Sequence, residues 1–298
     1  MTLRERAPAK LNLVLEVLGR RPDGYHELAT LFQTVGLYDE LRFWPDDELS
    51  LEVDDPALAG EQNLVLRAAH LLRQRAGAFA QRAGGARIAL TKRVPAAAGL
   101  GGGSSDAAAA LRGLRRLWRL ELGDAELARI GAELGADVPF LLRGGTSLAG
   151  GIGEQLQALP DLVAWAVLYT PPYRVDDKTA RAYRALRPQD RSDGAAARAA
   201  AAALRGGRWP DLGHAPNAFE RVADELFPGL AEHRARLTAA GAGWVRLSGA
   251  GPTLFTLTPD RRTAEAIRAR LPSDAAAWAV PTVGAGAASA AAGTELPG

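Results

Sequence analysis

The sequence predicts an α+β protein built as two domains. Apolar residues alternate at period two through much of the first ninety positions. Helical periodicity takes over from Ala107, and a glycine-rich stretch near residues 145–160 precedes a second set of strands and helices. A length of 298 residues fits two domains of ordinary size. Composition narrows the function classes. The net charge is only +2 and arginines are interleaved with acids, so no clustered basic face for nucleic acid is expected. With no cysteine, disulfides, thiolate nucleophiles and zinc–thiolate sites are excluded. The opening segment alternates polar and apolar residues and does not read as a signal peptide. No apolar run approaches the roughly 20 residues of a membrane span. The expectation is a cytoplasmic protein without a membrane partner.

In the first half, Leu11, Leu13, Leu15 and Val17 recur at period two, as in a half-buried strand. Pro22-Asp23-Gly24 is a turn signal. Leu28, Thr30, Phe32 and Thr34 alternate again, and short strands are expected near 41–44, 49–53 and 87–90, mainly antiparallel. Asn63 reads as the N-cap of a helix reaching about Arg75, with Gly77 as its stop. A second helix carries Ala107, Ala110, Leu111, Leu114, Leu117 and Trp118 on one face. A third runs from Asp124, as N-cap, to Leu134, with Gly135 ending it. In "GADVPFLLRGGTSLAGGIGE", Pro139 is expected to keep Val138 extended and to leave Asp137 just past a helix end. The glycine turns that follow mark the domain boundary, giving residues 1–157 and 158–284.

The second half opens with a strand at 163–169. Helices are expected near 177–185, 195–204, 217–226 and 229–240. "GWVRLSGAGPTLFTL" reads as strand, glycine turn, strand, followed by a helix at 263–271 and a strand at 278–283. The alanine-rich 195–205 helix reads as solvent-facing padding, and residues 285–298 as a low-complexity, disordered tail.

The most informative stretch is "PAAAGLGGGSSDAAAAL", Pro95–Leu111, where glycines run directly into a helix former. Glycines allow positive φ and let N–H groups converge. A helix starting there adds free N–H groups and a positive dipole end, so the junction is an anion site suited to phosphate. It is not a Walker A loop, since no Gly-Lys pair occurs. Nor is it a dinucleotide fingerprint, since Ser104 stands where the last glycine would be. A glycine linker is the bland alternative.

"PAAAGLGGGSSDAA" resembles the phosphate loop of the GHMP small-molecule kinases. "APAKLNLVLEVLGRRPDGYHEL", "ELGADVPFLLRGGT", "NAFE" (217–220) and "LSGAGPTLF" are similar to further motifs of that family, in family order from Pro8 to Phe255. The resemblance implies an N-terminal domain of the ribosomal-protein-S5-domain-2-like type, a ferredoxin-like α+β C-terminal domain, and a site between them. It implies ATP as co-substrate, with Mg²⁺ expected and its protein ligands unassigned. The implied substrate is a cytidine-diphosphate-linked methylerythritol, phosphorylated at its 2-hydroxyl on the way to isoprenoid precursors. A monomer or weak homodimer is expected.

Residue by residue, Asp137 is the candidate base and Lys10 the charge stabiliser, although each also has a plain reading, as turn former and as solvated strand lysine. Asn12 shares the facing of Lys10. The implied nucleotide contacts are Pro95, Ala96, Ala97, Ala98, Gly99, Leu100, Gly101, Gly102, Gly103, Ser104 and Ser105 for the phosphates, with Asn63 and Lys92 near the adenosine. Asp106 ranks below the serines. On the acceptor side, Tyr25 would stack on the cytosine, His26 would bond its edge, and Tyr183 would cover its other face. Gly249 would offer its N–H to the diphosphate. "NAFE" carries Ala218 and Phe219 where acidic and aliphatic residues are common, and is given no catalytic role. Two other readings stay open: a GHMP kinase for another small alcohol, and a nucleotide sensor on the same fold without catalysis.

Overall fold

Two long strands organise the chain. In the computed structural model, which describes residues 2–77, 84–286 and 294–295, β1 (Thr2–Arg20) and β2 (His26–Asp46) form an antiparallel hairpin closed by the Pro22-Asp23-Gly24 turn. The short strands expected at 11–17, 28–34 and 41–44 are pieces of these two. Register shifts at Pro8/Ala9, Asn12/Val14 and Val17/Gly19 interrupt the alternation that would have joined them. β3 (Leu49–Val53) and β4 (Gly85–Thr91) extend the sheet, and β3 pairs with β4 in parallel, an exception in an otherwise antiparallel set. β5 (Thr146–Gly150) pairs with β2, and β6 (Gln155–Ala158) with β5.

One face of this sheet carries α1 (Leu64–Ala76), α2 (Gly102–Leu117), α3 (Asp124–Leu134) and α4 (Val138–Arg143). Their core includes Phe43, Ile88, Leu111, Leu114 and Phe140. The expected Asn63 cap is present, its side-chain oxygen accepting from Val65 N, and Gly77 ends the helix. Gly123, not Asp124, occupies the N-cap of α3. The segment expected to be extended after Asp137 is helical. Pro139 lies in the first turn of α4, where a missing N–H costs nothing, so it starts the helix instead of preventing it.

The chain then changes sheets. β7 (Trp165–Thr170), β8 (Arg246–Leu247), β9 (Leu254–Thr258) and β10 (Ala276–Pro281) form a four-stranded antiparallel sheet in the order β10-β7-β9-β8. With it come α5 (Lys178–Arg184), α6 (Ala195–Arg205), α7 (Glu220–Leu226), α8 (Leu230–Ala239) and α9 (Arg261–Ala269). We propose the step from Ala158 to Trp165 as the domain junction. Among the described residues no helix is long and apolar enough to cross a membrane.

The second half covers the other face of β1 and β2, so residues Ala7 to Val17 are buried on both faces and not on one. Helix α6 contributes to this cover. Ala197, Ala200, Ala201 and Leu204 are buried, and the buried Glu16 carboxylate accepts from Ala197 N at 2.8 Å, so the alanine helix is half core and not padding. Part of the tail expected from 285 lies outside the described residues (287–293 and 296–298). Among the described residues of the tail, Ala285 bridges Gly144, and β11 (Thr294–Glu295) pairs with Thr2 and Leu3 of β1.

Glu5, Arg112 and Arg116 tie α2 to β1. Arg112 Nε donates to Glu5 Oε2 (3.1 Å) and Arg116 donates to Glu5 Oε1 (2.8 Å). Arg112 also donates to the carbonyls of Leu141 and Arg6. Glu5 is 1% exposed, so removing it strands a buried guanidinium. Breaking such a pair from one side costs about 3 kcal/mol or more. Glu5→Ala should therefore lower the urea midpoint well beyond the change produced by Glu265→Ala, which breaks the exposed Arg261–Glu265 pair. Equal midpoints would show that the Glu5 cluster is inert.

Candidate active site

A cleft of about 1040 Å³ opens between the two halves. Its floor is the glycine loop. Gly101 is the N-cap of α2 with φ +70°, and no side chain caps the helix, so the first-turn N–H groups of Gly102, Gly103 and Ser104 have no intrahelical acceptors. Gly101 is also required by proximity: a Cβ there would come within 2.8 Å of Lys10 Cγ. Ala97, Ala98, Gly99, Gly101, Gly102, Gly103 and Ser104 all line the cleft. The Ser104 hydroxyl has no hydrogen-bond partner among the described residues.

Lys10 reaches the cleft from the middle of β1. Its backbone N–H donates to Leu100 O (2.9 Å), its ammonium donates to Asn12 Oδ1 (2.7 Å) and pairs with Asp137 Oδ2 (3.2 Å), and it lies 5.2 Å from the centroid of the Phe32 ring. At 5% exposure it is no solvated strand lysine. Asn12 Nδ2 donates to Thr30 Oγ1 (2.8 Å), which fixes its amide and hence the position of the ammonium. Asp137 stands at the N-cap position of α4 without making a side-chain cap bond, leaving its carboxylate for Lys10 and the cleft. Close packing of α3 on α4 sets its place: a Cβ on Gly131 would meet Val138 Cγ1 at 2.9 Å.

Tyr25, His26 and Tyr183 line the same cleft. Tyr25 is 61% exposed at its mouth. His26 stacks directly on Tyr183, with ring centroids 4.7 Å apart and planes at 21°. The ring face expected to receive a base is thus covered by His26. Burial, then the charges of Arg20 and Arg191, lower the His26 pKa, so its imidazole is neutral at pH 7 and offers one donor and one acceptor. Burial and then Asp137 raise the Tyr183 phenol to about 12, so it stays protonated.

Gly249, from the β8–β9 turn, completes the wall, and Asn217 holds it. The Asn217 amide donates to Leu247 O (2.8 Å) and Gly249 O (2.9 Å), while its neighbours pair with β1 through Leu15 N→Pro216 O and Ala218 N→Leu15 O. "NAFE" is therefore a brace for the turn.

Several expected contacts do not reach the cleft. Ser105 is fully buried and its hydroxyl donates to Pro8 O (2.7 Å), anchoring α2 to β1. Pro95, Ala96 and Leu100 shape the loop without lining the cleft, and Asn63 spends its side chain on Val65 N and Leu58 O. Lys92 lies beneath the loop, its ammonium shared between Asp39 Oδ2 (2.5 Å) and Asp106 Oδ2 (2.6 Å). Asp39 also accepts from Arg93 N and Val94 N, which fixes the chain leading into the loop. Burial chiefly raises the Asp106 pKa, with Lys92 opposing it and Asp39 adding to it. Burial pulls the Lys92 ammonium down, but the two carboxylates outweigh it. Sequence reasoning missed Lys178, which starts α5 and lines the cleft. The available signal was its rarity: three of the chain's 36 basic residues are lysines, and the other two are Lys10 and Lys92.

For Mg²⁺, no group of three or more His, Cys, Asp or Glu side chains among the described residues converges on one point. An ion carried by nucleotide phosphates needs only one or two protein oxygens, and the unpartnered Ser104 hydroxyl fits that demand.

Comparison with known proteins identifies the family and the fold. Residues 63–145 match the model of the GHMP kinases N terminal domain, and residues 199–277 that of the GHMP kinases C terminal. A 4-diphosphocytidyl-2-C-methyl-D-erythritol kinase from Dehalococcoides mccartyi is 44% identical over 88% of this chain and 91% of its own. The enzyme of the same name from Pelotomaculum thermopropionicum is 44% identical over 91% and 94%. A crystal structure of 4-(cytidine 5'-diphospho)-2C-methyl-D-erythritol kinase superposes with a TM-score of 0.80 at 41% identity, covering 94% of this chain and 99% of that one. Homoserine kinase from Cytophaga hutchinsonii shares the fold, with a TM-score of 0.70 at 20% identity over 95% of both chains. The α+β fold is therefore that of a small-molecule kinase, and the chain belongs to the GHMP kinases and, among them, to the 4-diphosphocytidyl-2-C-methyl-D-erythritol kinase family.

Proposed function

We propose that this kinase transfers the γ-phosphoryl group of ATP to the 2-hydroxyl of 4-diphosphocytidyl-2-C-methyl-D-erythritol, a step in isoprenoid precursor synthesis. The observation that carries the reading is the Lys10–Asp137 pair beside the helix-capping glycine loop, in one cleft with Tyr25, His26 and Tyr183. The free N–H groups of Gly102, Gly103 and Ser104 suit the phosphates of the nucleotide. A nucleotide-bound Mg²⁺ would take the Ser104 hydroxyl as its protein oxygen and neutralise charge on the phosphates. Asp137 accepts the proton of the 2-hydroxyl as that oxygen bonds to the γ-phosphorus and the bond to the β-phosphate oxygen breaks, releasing ADP. Lys10 orients the carboxylate and offsets negative charge on the transferring group. Gly249 would offer its N–H to the acceptor's diphosphate. A pyrimidine between Tyr25 and Tyr183 needs the Tyr183 face that His26 now covers, so the pair must part when the base enters. Side-chain rearrangement of this kind is common on binding.

Three measurements test this reading. Purified protein should consume ATP with the cytidine-diphosphate-linked alcohol; turnover only with homoserine or mevalonate would overturn the substrate assignment, and nucleotide binding without any turnover would favour a sensor. Asp137→Asn should lower kcat by about 10²- to 10⁴-fold while a non-hydrolysable ATP analogue still binds; kcat within a few-fold of the parent would remove Asp137 as base. Tyr183→Ala should raise KM for the cytidine substrate roughly 5- to 100-fold, the range of lost base stacking, with little change in KM for ATP. An unchanged acceptor KM would exclude stacking on this ring.

A further inference from the structure

Lys178 is a buried cation without a partner. It is 9% exposed, lines the cleft, and its ammonium makes no hydrogen bond or ion pair with any described residue. The other buried cations are matched: Lys10 by Asp137 and Asn12, Lys92 by Asp39 and Asp106, Arg112 by Glu5. An ammonium taken out of water without a counter-charge is costly. Its retention makes sense where a ligand brings the missing anion. Lys10 on β1 and Asp137 on α4 are the charges it feels. Burial first and Lys10 second pull its pKa down to about 8, with Asp137 opposing, so the ammonium still predominates at pH 7. Two lysines face one carboxylate here, which leaves the reacting end of the cleft with one excess positive charge.

We propose that Lys178 is a positioning ligand of the kinase site whose ammonium pairs with a phosphoryl oxygen of a bound substrate. The inference rests on the phosphotransfer reading above. Both the nucleotide and the acceptor's diphosphate carry such oxygens. The acceptor is the favoured source, because Lys178 stands on the same helix, α5, as Tyr183, and both line the cleft.

The chain offers a clean assay, since it contains only three lysines. Acetic anhydride labelling read by mass spectrometry should modify Lys178 in the free protein. Inorganic pyrophosphate, the β,γ-imido analogue of ATP and the cytidine-diphosphate-linked alcohol are added separately. Protection by pyrophosphate and the alcohol, with little from the analogue, assigns the oxygen to the acceptor. Protection by pyrophosphate and the analogue assigns it to the nucleotide. Protection by none of the three overturns the proposal. In parallel, Lys178→Met should raise KM and Kd for the partner so assigned on the order of 10- to 100-fold, with the other partner's Kd nearly unchanged, and Lys178→Arg should restore most of the loss. Unchanged constants for both partners overturn the proposal as well. Pyrophosphate protection in a wild-type protein that fails to turn over the alcohol would sink the substrate reading and leave the Lys178 assignment standing.

Discussion

The cleft depends on a contact between two backbones. A Cβ on Gly99 would lie 2.1 Å from the carbonyl oxygen of Ser248, so only glycine lets the two loops meet, and its φ of +85° reinforces the requirement. The contact is stitched by Ser248 Oγ donating to Gly99 O (3.0 Å) and Thr253 N donating to Ala98 O (3.2 Å). It joins the segment after β4 to the β8–β9 turn, giving the cleft a wall from each sheet. Asn217 braces the turn from behind and pairs its own neighbours with β1, the strand that carries Lys10 and Asn12. Loop, turn and strand thus form a closed circuit of hydrogen bonds, and a shift in one member moves the others.

Charge is sorted by depth within that circuit. Beneath the loop, Lys92 serves two carboxylates, Asp39 and Asp106. Among the described residues the second oxygen of Asp106 is buried without a hydrogen-bond partner, and burial raises the Asp106 pKa. None of the three lines the cleft, and the cluster holds the chain entering the loop against β2 and α2. At the cleft, the balance is reversed: Lys10 and Lys178 face Asp137. Coulomb terms grow as water is excluded, so an excess cation here favours an arriving anion more than the same charge on the surface would. The two clusters use the same residue types. They differ in whether the lysine's partners are all supplied by the chain.

Much of this was legible in the sequence because glycine and proline report backbone geometry directly. The 99–103 loop followed by an apolar helical face marked where α2 starts, Asn63 and Gly77 marked the ends of α1, and the period-two facing of Lys10 and Asn12 agrees with their 2.7 Å hydrogen bond. What failed depended on tertiary cover. Alternation reports which residues share a face, not whether the opposite face is also buried, so the double burial of β1 and the inward side of α6 went unread. The expectation that Pro139 keeps Val138 extended fails because the effect of a proline depends on whether it lies in the first turn of a helix. Ser105 and Lys92 sit in the right motif but face the sheet, and one-dimensional spacing does not give the direction of a side chain at a loop–helix junction.

The division between the two cations has the same physical root. Three lysines stand among 36 basic residues, and all lie at or directly under the cleft. Guanidinium groups do the stapling elsewhere: Arg112 holds Glu5 and two carbonyls, and Arg246 holds Ala215 O, Gly213 O and Val245 O. A planar fork of five donors is suited to several fixed acceptors at once. A lysine instead ends in a compact point charge on a thin stem. Lys10 needs that stem, because it passes under Gly101 within a distance that a single Cβ would close, and its charge must still reach Asp137. Where the acceptors are fixed parts of the fold, this chain uses arginine. Lysine appears where a charge must thread past glycine backbone, sit between two acids, or stay unmatched at the cleft wall.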